Sequence, residues 1–181
     1  MDWCSFLDSR PLVVALAGSN GAGKSTFFHA HLADAGLRFV NADDLAAEIG
    51  LGAYEAAELA ASIRKWLIQQ GESFVFETVL SDPVGEKVAE LEKAGRTGIN
   101  VVLIFIRLDS PETSIERVSM RVAQGGHDVP DDKLETRFTR TLANLDLAIR
   151  SLPLVILFDN SDLSSPYRLE AIYQTGNCVY P

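Results

Sequence analysis

The sequence predicts an α/β fold, with a parallel sheet of five strands, or six, covered by helices on both faces. Two observations carry this. Short apolar runs of strand length alternate along the chain with longer helical segments, the pattern of successive βαβ units. A glycine-rich octapeptide, Gly18-Ser19-Asn20-Gly21-Ala22-Gly23-Lys24-Ser25, joins the first of those runs to the segment behind it. The length of 181 residues suits one domain with one core, spanning 1–181.

Leu12–Ala17 is continuously apolar, as a strand buried on both faces should be. A helix is expected from Ser25 to about Ala35, and a short strand over Arg38–Asn41. Leu45 to Gly71 is alanine-rich and reads as helix, broken near Gly50-Leu51-Gly52. Ser73–Phe76 is a third strand and Pro83–Ala94 the helix after it. Asn100–Leu108 is the strongest strand signal in the chain. Helices follow over Glu112–Ala123 and Asp131–Arg150, separated by Gln124–Pro130. Leu154–Phe158 is a last core strand, and Tyr167–Tyr173 is expected to be a short helix.

The formal net charge of -9 argues against broad affinity for nucleic acid or anionic membranes, which needs a basic face. No apolar stretch approaches the length that spans a bilayer. The N-terminal residues lack a basic segment leading into an apolar run, so no signal peptide is expected. Cys4 and Cys178 form no zinc-site spacing and fit a reducing compartment. A cytoplasmic protein is expected, with no nucleic-acid or membrane partner.

Gly18–Ser25 matches GxxxxGK[ST] in full and lies between a strand and a helix, the context that confirms a P-loop. The expected fold is therefore that of P-loop NTPases. Backbone N–H groups of Gly18, Ser19, Asn20, Gly21, Ala22 and Gly23 would point at phosphate oxygens, with Lys24, Ser25 and Thr26 opening the helix. Lys24 would bridge the β- and γ-phosphates of ATP, and the Ser25 hydroxyl would ligate Mg²⁺. No NKxD guanine signature and no LSGGQ-like transporter signature is present. Small kinases, or a bare nucleotide switch, remain.

In parallel sheets, ligands bind beyond the carboxyl ends of the strands. Asn41-Ala42-Asp43-Asp44 follows the second strand, and Asp43 is the candidate base for an attacking hydroxyl. Asp44 is the runner-up, because one of the pair would cap the helix that follows. Glu77 and Thr78 follow the third strand. Glu77 reads either as a substrate hydrogen-bond partner, as the group orienting a magnesium-bound water, or as a polar strand end. Asp159-Asn160-Ser161 follows the last core strand and reads equally as the border of an adenine pocket or as a turn.

Arg117 and Arg121 lie four apart on one predicted helix, and Arg137 and Arg140 three apart on the next. Gly125-Gly126 between them reads as a hinge, making residues 117–140 an arginine-bearing lid that neutralises charge on a transferred phosphoryl group. Surface ion pairing with Glu116, Asp131, Asp132 and Glu135 is the competing reading. His127 is expected to pack or cap the hinge.

Together these segments resemble the zeta-toxin family of P-loop kinases, especially its compact branch. The resemblance runs from Val13 to about Phe158 and rests on Ala17–Thr26, Asn41-Ala42-Asp43, Phe76-Glu77-Thr78-Val79-Leu80-Ser81, and Arg117–Pro130 followed by Arg137. It implies ATP-dependent phosphorylation of the 3′-hydroxyl of UDP-N-acetylglucosamine, with Asp43 as base and Lys24 and lid arginines on the phosphates. It implies Glu77 and Thr78 at the sugar-nucleotide site, with Arg117 also allotted to substrate. Arg121 and Arg137 match the family's two phosphate-binding arginines. A separately encoded antitoxin is the macromolecular partner it implies. Phosphorylation of another small alcohol stays open beside that acceptor.

Overall fold

The structure, a computed structural model of the chain, describes residues 3–125 and 129–181. Strand β1 (Leu12–Ala17) is buried at every position. Its side chains alternate between two apolar clusters: Val13, Ala15 and Ala17 enter one, and Leu12, Val14 and Leu16 the other. A strand at the centre of a sheet covered on both faces must be apolar throughout, which is why the run shows no alternation in sequence. Strands β2 (Arg38–Val40), β3 (Phe74–Thr78), β4 (Asn100–Arg107) and β5 (Leu154–Asp159) run parallel to it in the order β2-β3-β1-β4-β5.

The five parallel strands match the expectation, but the sheet has seven. The expected helix over Tyr167–Tyr173 is instead strand β6 (Arg168–Gln174), antiparallel to β5, and it turns back into β7 (Asn177–Tyr180). Leu169, Ala171 and Tyr173 recur every second residue, a strand period. Thr175 and Gly176 have φ of 46° and 82°, the left-handed pair that a tight hairpin turn requires.

Helix α1 (Lys24–Phe27) opens at the end of the glycine-rich loop and continues as a π-helical turn over Phe28–Leu32 and a 3-10 turn over Ala33–Ala35. Helices α2 (Ala42–Ile49) and α3 (Ala53–Gln70) divide at Gly50, as the glycines suggest. Helix α4 (Glu86–Arg96) begins later than expected because Asp82–Gly85 is a loop. Helices α5 (Pro111–Ala123) and α6 (Asp131–Ser151) fall within a residue of their expected bounds. Residues 126–128, with His127 and half of the Gly125-Gly126 hinge, lie outside the described residues. Among the described residues no helix is long and apolar enough to cross a membrane.

The topology gathers the chemistry along one edge. The loop 18–25, Asn41–Asp44 and Asn160 each follow the carboxyl end of a parallel strand, and Glu77-Thr78 is the carboxyl end of β3 itself. Helix α6 reaches over the same edge: Thr141 donates to the Val79 carbonyl and Asn144 to that of Leu80, each at 2.9 Å.

Candidate active site

The loop Gly18–Ser25 is held through its carbonyls, by Lys24 from within and by Ser114, Asn160 and Tyr167 from outside. Ser19 O accepts from Lys24 Nζ at 3.0 Å, and Asn20 O from Ser114 Oγ at 2.7 Å. Ala22 O accepts from Asn160 Nδ2 at 2.8 Å, and Gly23 O from Tyr167 Oη at 2.9 Å. In a trans peptide the carbonyl and the following N–H point in opposite directions. The Asn20, Ala22 and Gly23 carbonyls, turned outward to protein donors, leave neighbouring N–H groups facing the other way, the arrangement of a concave nest suited to phosphate oxygens. Gly23 has φ of 87°, and a Cβ there would lie 2.7 Å from the Tyr167 hydroxyl oxygen; only glycine fits. Ser19 Oγ and Asn20 Oδ1 are buried without a hydrogen-bond partner. Buried polar atoms normally have one, so a hydroxyl donor left over in the nest fits a bound phosphate.

Lys24 is the charge at the centre. It is buried, and its ammonium lies 3.7 Å from Glu77 Oε1. Burial pushes its pKa below the ordinary lysine value; Glu77 pulls it back up most strongly, Arg121 adds to the lowering, and Asp43 opposes it. Glu77, Arg121 and Asp43 thus all lie close enough to act on the Lys24 charge. Glu77 Oε2 accepts from Ser25 Oγ at 2.8 Å and from Asn41 Nδ2 at 3.4 Å. The strand alternation that buries Val75 against the α1 side of the sheet sends Glu77 to that side as well. Among the described residues there is no cluster of three or more carboxylate, histidine or cysteine ligands for a metal. Mg²⁺ does not need one, since it usually takes a few hard oxygens, waters and substrate phosphates. The Ser25 hydroxyl beside the Glu77 carboxylate is such a donor set.

The second strand delivers Asp43, and the structure corrects which residue caps α2. Asn41 does so, its side chain accepting from the Asp43 N–H at 2.9 Å. Neither aspartate is consumed by capping: both sit exposed in the helix's first turn, where the helix dipole favours a negative charge.

The arginines divide by place. Arg117 lies over the nucleotide loop, so close that a Cβ on Gly21 would be 3.0 Å from its own. Its Nη2 donates to the Ser161 carbonyl at 2.9 Å, on the flank of the cradle away from Thr78. Arg121, one turn further along α5, acts on Lys24 through its charge. Arg137 is half-buried on α6, one turn before Thr141, which meets the loop after Thr78. Arg140 is exposed.

Two functional supports, Ser114 and Tyr167, carry no signal in the sequence; Asn160, which reads there equally as the border of an adenine pocket or as a turn, is instead a third support of the loop. Asn160 is buried and also accepts from the Tyr167 N–H at 3.3 Å. Burial raises the Tyr167 pKa, which keeps its hydroxyl a donor. The turn before Asn160 is fixed by Asp159. Burial pushes that carboxyl up, but hydrogen bonds from Ser161 and Arg168 and the charge of Arg107 prevail and hold it at about 2. The residues after β5 thus serve the P-loop from behind.

The Zeta toxin family model matches residues 45–170, from α2 to β6. The chain belongs to the zeta toxin family. The match begins after the glycine-rich loop, so the cradle geometry and the family assignment rest on different residues. A Haemophilus influenzae protein of uncharacterised function is 28% identical over 126 residues, covering 67% of this zeta toxin family chain and 88% of the relative. Among solved structures, the AvrRxo1-ORF1:ORF2 complex with ATP aligns with TM-score 0.71 at 20% identity over 97% of this chain. This chain spans 63% of the length of that one. The PezAT toxin–antitoxin system of Streptococcus pneumoniae aligns with TM-score 0.61 at 18% identity, over 94% of this chain and 72% of that one. At such identities these likenesses establish a shared fold.

Proposed function

We propose that this zeta toxin family protein is an ATP-dependent kinase that transfers the γ-phosphate to a hydroxyl of a small molecule, UDP-N-acetylglucosamine or a related sugar nucleotide. The observation that carries the reading is the linked set Lys24–Glu77–Ser25 at the mouth of the nest, with Asp43 close enough to act on Lys24. A nucleotide-binding switch needs the nest. It does not need a carboxylate on the far side of it, uncommitted to capping. Family membership supports the kinase reading and the sugar-nucleotide acceptor, and a kinase using ATP and such an acceptor belongs in the cytoplasm. A separately encoded antitoxin is the proposed protein partner, which the toxin–antitoxin origin of the pneumococcal neighbour supports.

In this mechanism the N–H groups of residues 18–23 and the helix start at Lys24 hold the β- and γ-phosphates. Lys24 fixes the γ-phosphate; the Ser25 hydroxyl beside the Glu77 carboxylate would hold Mg²⁺, which would supply positive charge to the phosphate oxygens. Asp43 accepts the proton of the acceptor hydroxyl as that oxygen attacks the γ-phosphorus. The bond to the β–γ bridging oxygen breaks and ADP leaves. Arg117 and Arg121 from α5, and Arg137 from α6, supply positive charge to the equatorial oxygens. Thr78, with its Oγ1 accepting from the Leu80 N–H at 3.1 Å, keeps a hydroxyl proton to donate to substrate. Residues 117–140 act as the lid of a single domain spanning 1–181.

Incubation with γ-labelled ATP, UDP-N-acetylglucosamine and a metabolite extract tests this. Label is expected in an organic product, heavier than its precursor by one phosphoryl group. Label found in inorganic phosphate alone would favour the switch.

A further inference from the structure

Arg64 is a buried charge that the mechanism above does not use. It lies on the sheet-facing side of α3 with Ala56, Ala60 and Leu67 and is 9% exposed. Its guanidinium carbon sits 4.9 Å from the centroid of the Phe76 ring. Among the described residues no carboxylate or carbonyl takes a hydrogen bond or salt bridge from it. Glu90 on α4 acts on it only through its charge, and burial lowers its pKa. An arginine does not escape burial by losing its proton, and an unpaired buried charge is expensive. Stacking on Phe76 satisfies one face of the plane and leaves the five N–H donors at its rim.

The position of those donors matters. Helix α3 descends from α2 at the carboxyl edge of the sheet to the start of β3, and side chains on a helix lean towards its N-terminus. Arg64 therefore leans back towards the carboxyl edge. Phe76 precedes Glu77, and Thr78, two residues on, shares the Phe76 face of the sheet. Across the ladder Phe76 pairs with Val40, whose chain continues through Asn41 to Asp43. The guanidinium thus lies below the space between Thr78 and the segment bearing Asp43, on the side of the sheet opposite the P-loop helix α1.

We propose that Arg64 is a binding residue for an anionic group, a phosphate or carboxylate, on the acceptor molecule, and that the acceptors of this protein are consequently anionic alcohols. The proposal rests on the kinase reading and narrows its substrate class. A planar guanidinium with its rim free takes such a group through two parallel hydrogen bonds. The anion would neutralise a charge that the fold otherwise leaves buried at a cost, as functional sites commonly do.

Two variants, R64M and R64K, and two measurements test it. First, inorganic phosphate is titrated into protein whose cradle is saturated with magnesium and a non-hydrolysable ATP analogue. The Arg64 Nε–H resonance is expected to shift saturably, and the phosphate-induced rise in Tm to vanish in R64M. Second, transfer from labelled ATP is compared for matched alcohols: gluconate and glucose, UMP and uridine, UDP-N-acetylglucosamine and N-acetylglucosamine. Product is expected from charged members only, and the pair that works separates carboxylate from phosphate. R64M should raise the acceptor KM at least tenfold and leave the ATP KM within twofold. R64K should recover part of the loss, and R64M should melt no lower than the parent. An R64M protein that melts lower but keeps its acceptor KM would make Arg64 structural and overturn the proposal. So would an Arg64 resonance indifferent to phosphate. Transfer to a neutral alcohol unaffected by R64M would defeat this inference and leave the kinase standing. Phosphate bound at Arg64 without transfer to any alcohol would defeat the kinase reading and leave the anion site.

Discussion

Replacing Glu77 by glutamine keeps the shape of the side chain and removes the charge nearest Lys24. The pair lies 3.7 Å apart, with side-chain exposures of 6% and 16%. At that separation the attraction is about 4 kcal/mol for an effective dielectric of 20. Removing one partner of a buried pair costs about 3–5 kcal/mol, because the other charge is left uncompensated. The lower figure applies here, since the Ser19 carbonyl still accepts from Nζ at 3.0 Å and Asp43 still contributes. For a chain of this size about 3 kcal/mol corresponds to a fall in Tm of about 6–12 °C. The pH dependence has a definite sign. In the folded protein Lys24 holds its proton less tightly than in the unfolded chain, because burial lowers its pKa. It therefore subtracts from stability while both states are protonated, and the deficit fades as pH rises through the folded pKa towards the ordinary lysine value. Glu77→Gln removes the largest opposing attraction, so the alkaline limb of phosphoryl transfer should move to lower pH. Scanning fluorimetry for Tm and initial rates across alkaline pH measure the two effects. A Tm within 1 °C of the parent, with an unmoved alkaline limb, would refute the claim that Glu77 is the counter-charge of Lys24.

Asn41→Ala should cost about 1 kcal/mol through loss of the α2 cap, whereas Asp44→Asn should be silent in both Tm and transfer; urea titration and labelled transfer check the pair. Tyr167→Phe leaves the Gly23 carbonyl with the Phe27 N–H as its one remaining donor and should raise the ATP KM several-fold at an acceptor KM unchanged within twofold. Amide exchange over residues 117–125 and 129–140 should slow when ATP and acceptor are added together, as a closing lid requires. Unchanged exchange would make α5 and the start of α6 a static surface.

What the sequence disclosed follows the range over which the physics acts. The cradle was legible because its conformation depends on glycines within one octapeptide, and the parallel strands because burial on both faces leaves Leu12–Ala17 and Asn100–Leu108 without a polar residue in their middles. The cap of α2 was misplaced by proximity: Asn41, Asp43 and Asp44 are all good caps, and only the backbone geometry at Asn41, with φ of -124°, selects among them. Tyr167–Tyr173 was read as helix because seven residues show one period poorly, and the Thr175-Gly176 turn that argues for a hairpin lies outside that window. Ser114 and Tyr167 were invisible, and Asn160 was legible only as a pocket border or a turn, because each acts on a carbonyl 94, 144 or 138 residues away in the chain. Arg64 reads in sequence as one more basic residue on an alanine-rich helix; only the Phe76 ring above it shows that it faces inward.

The central claim is that Asp43 acts on an acceptor hydroxyl and not on the nucleotide. Asp43→Asn separates the two. Calorimetry should show Mg-ATP affinity within a few-fold of the parent, while single-turnover transfer to the acceptor found by labelling falls by about 10²–10⁴, the usual worth of a general base. Normal transfer by the Asp43→Asn protein would contradict the account.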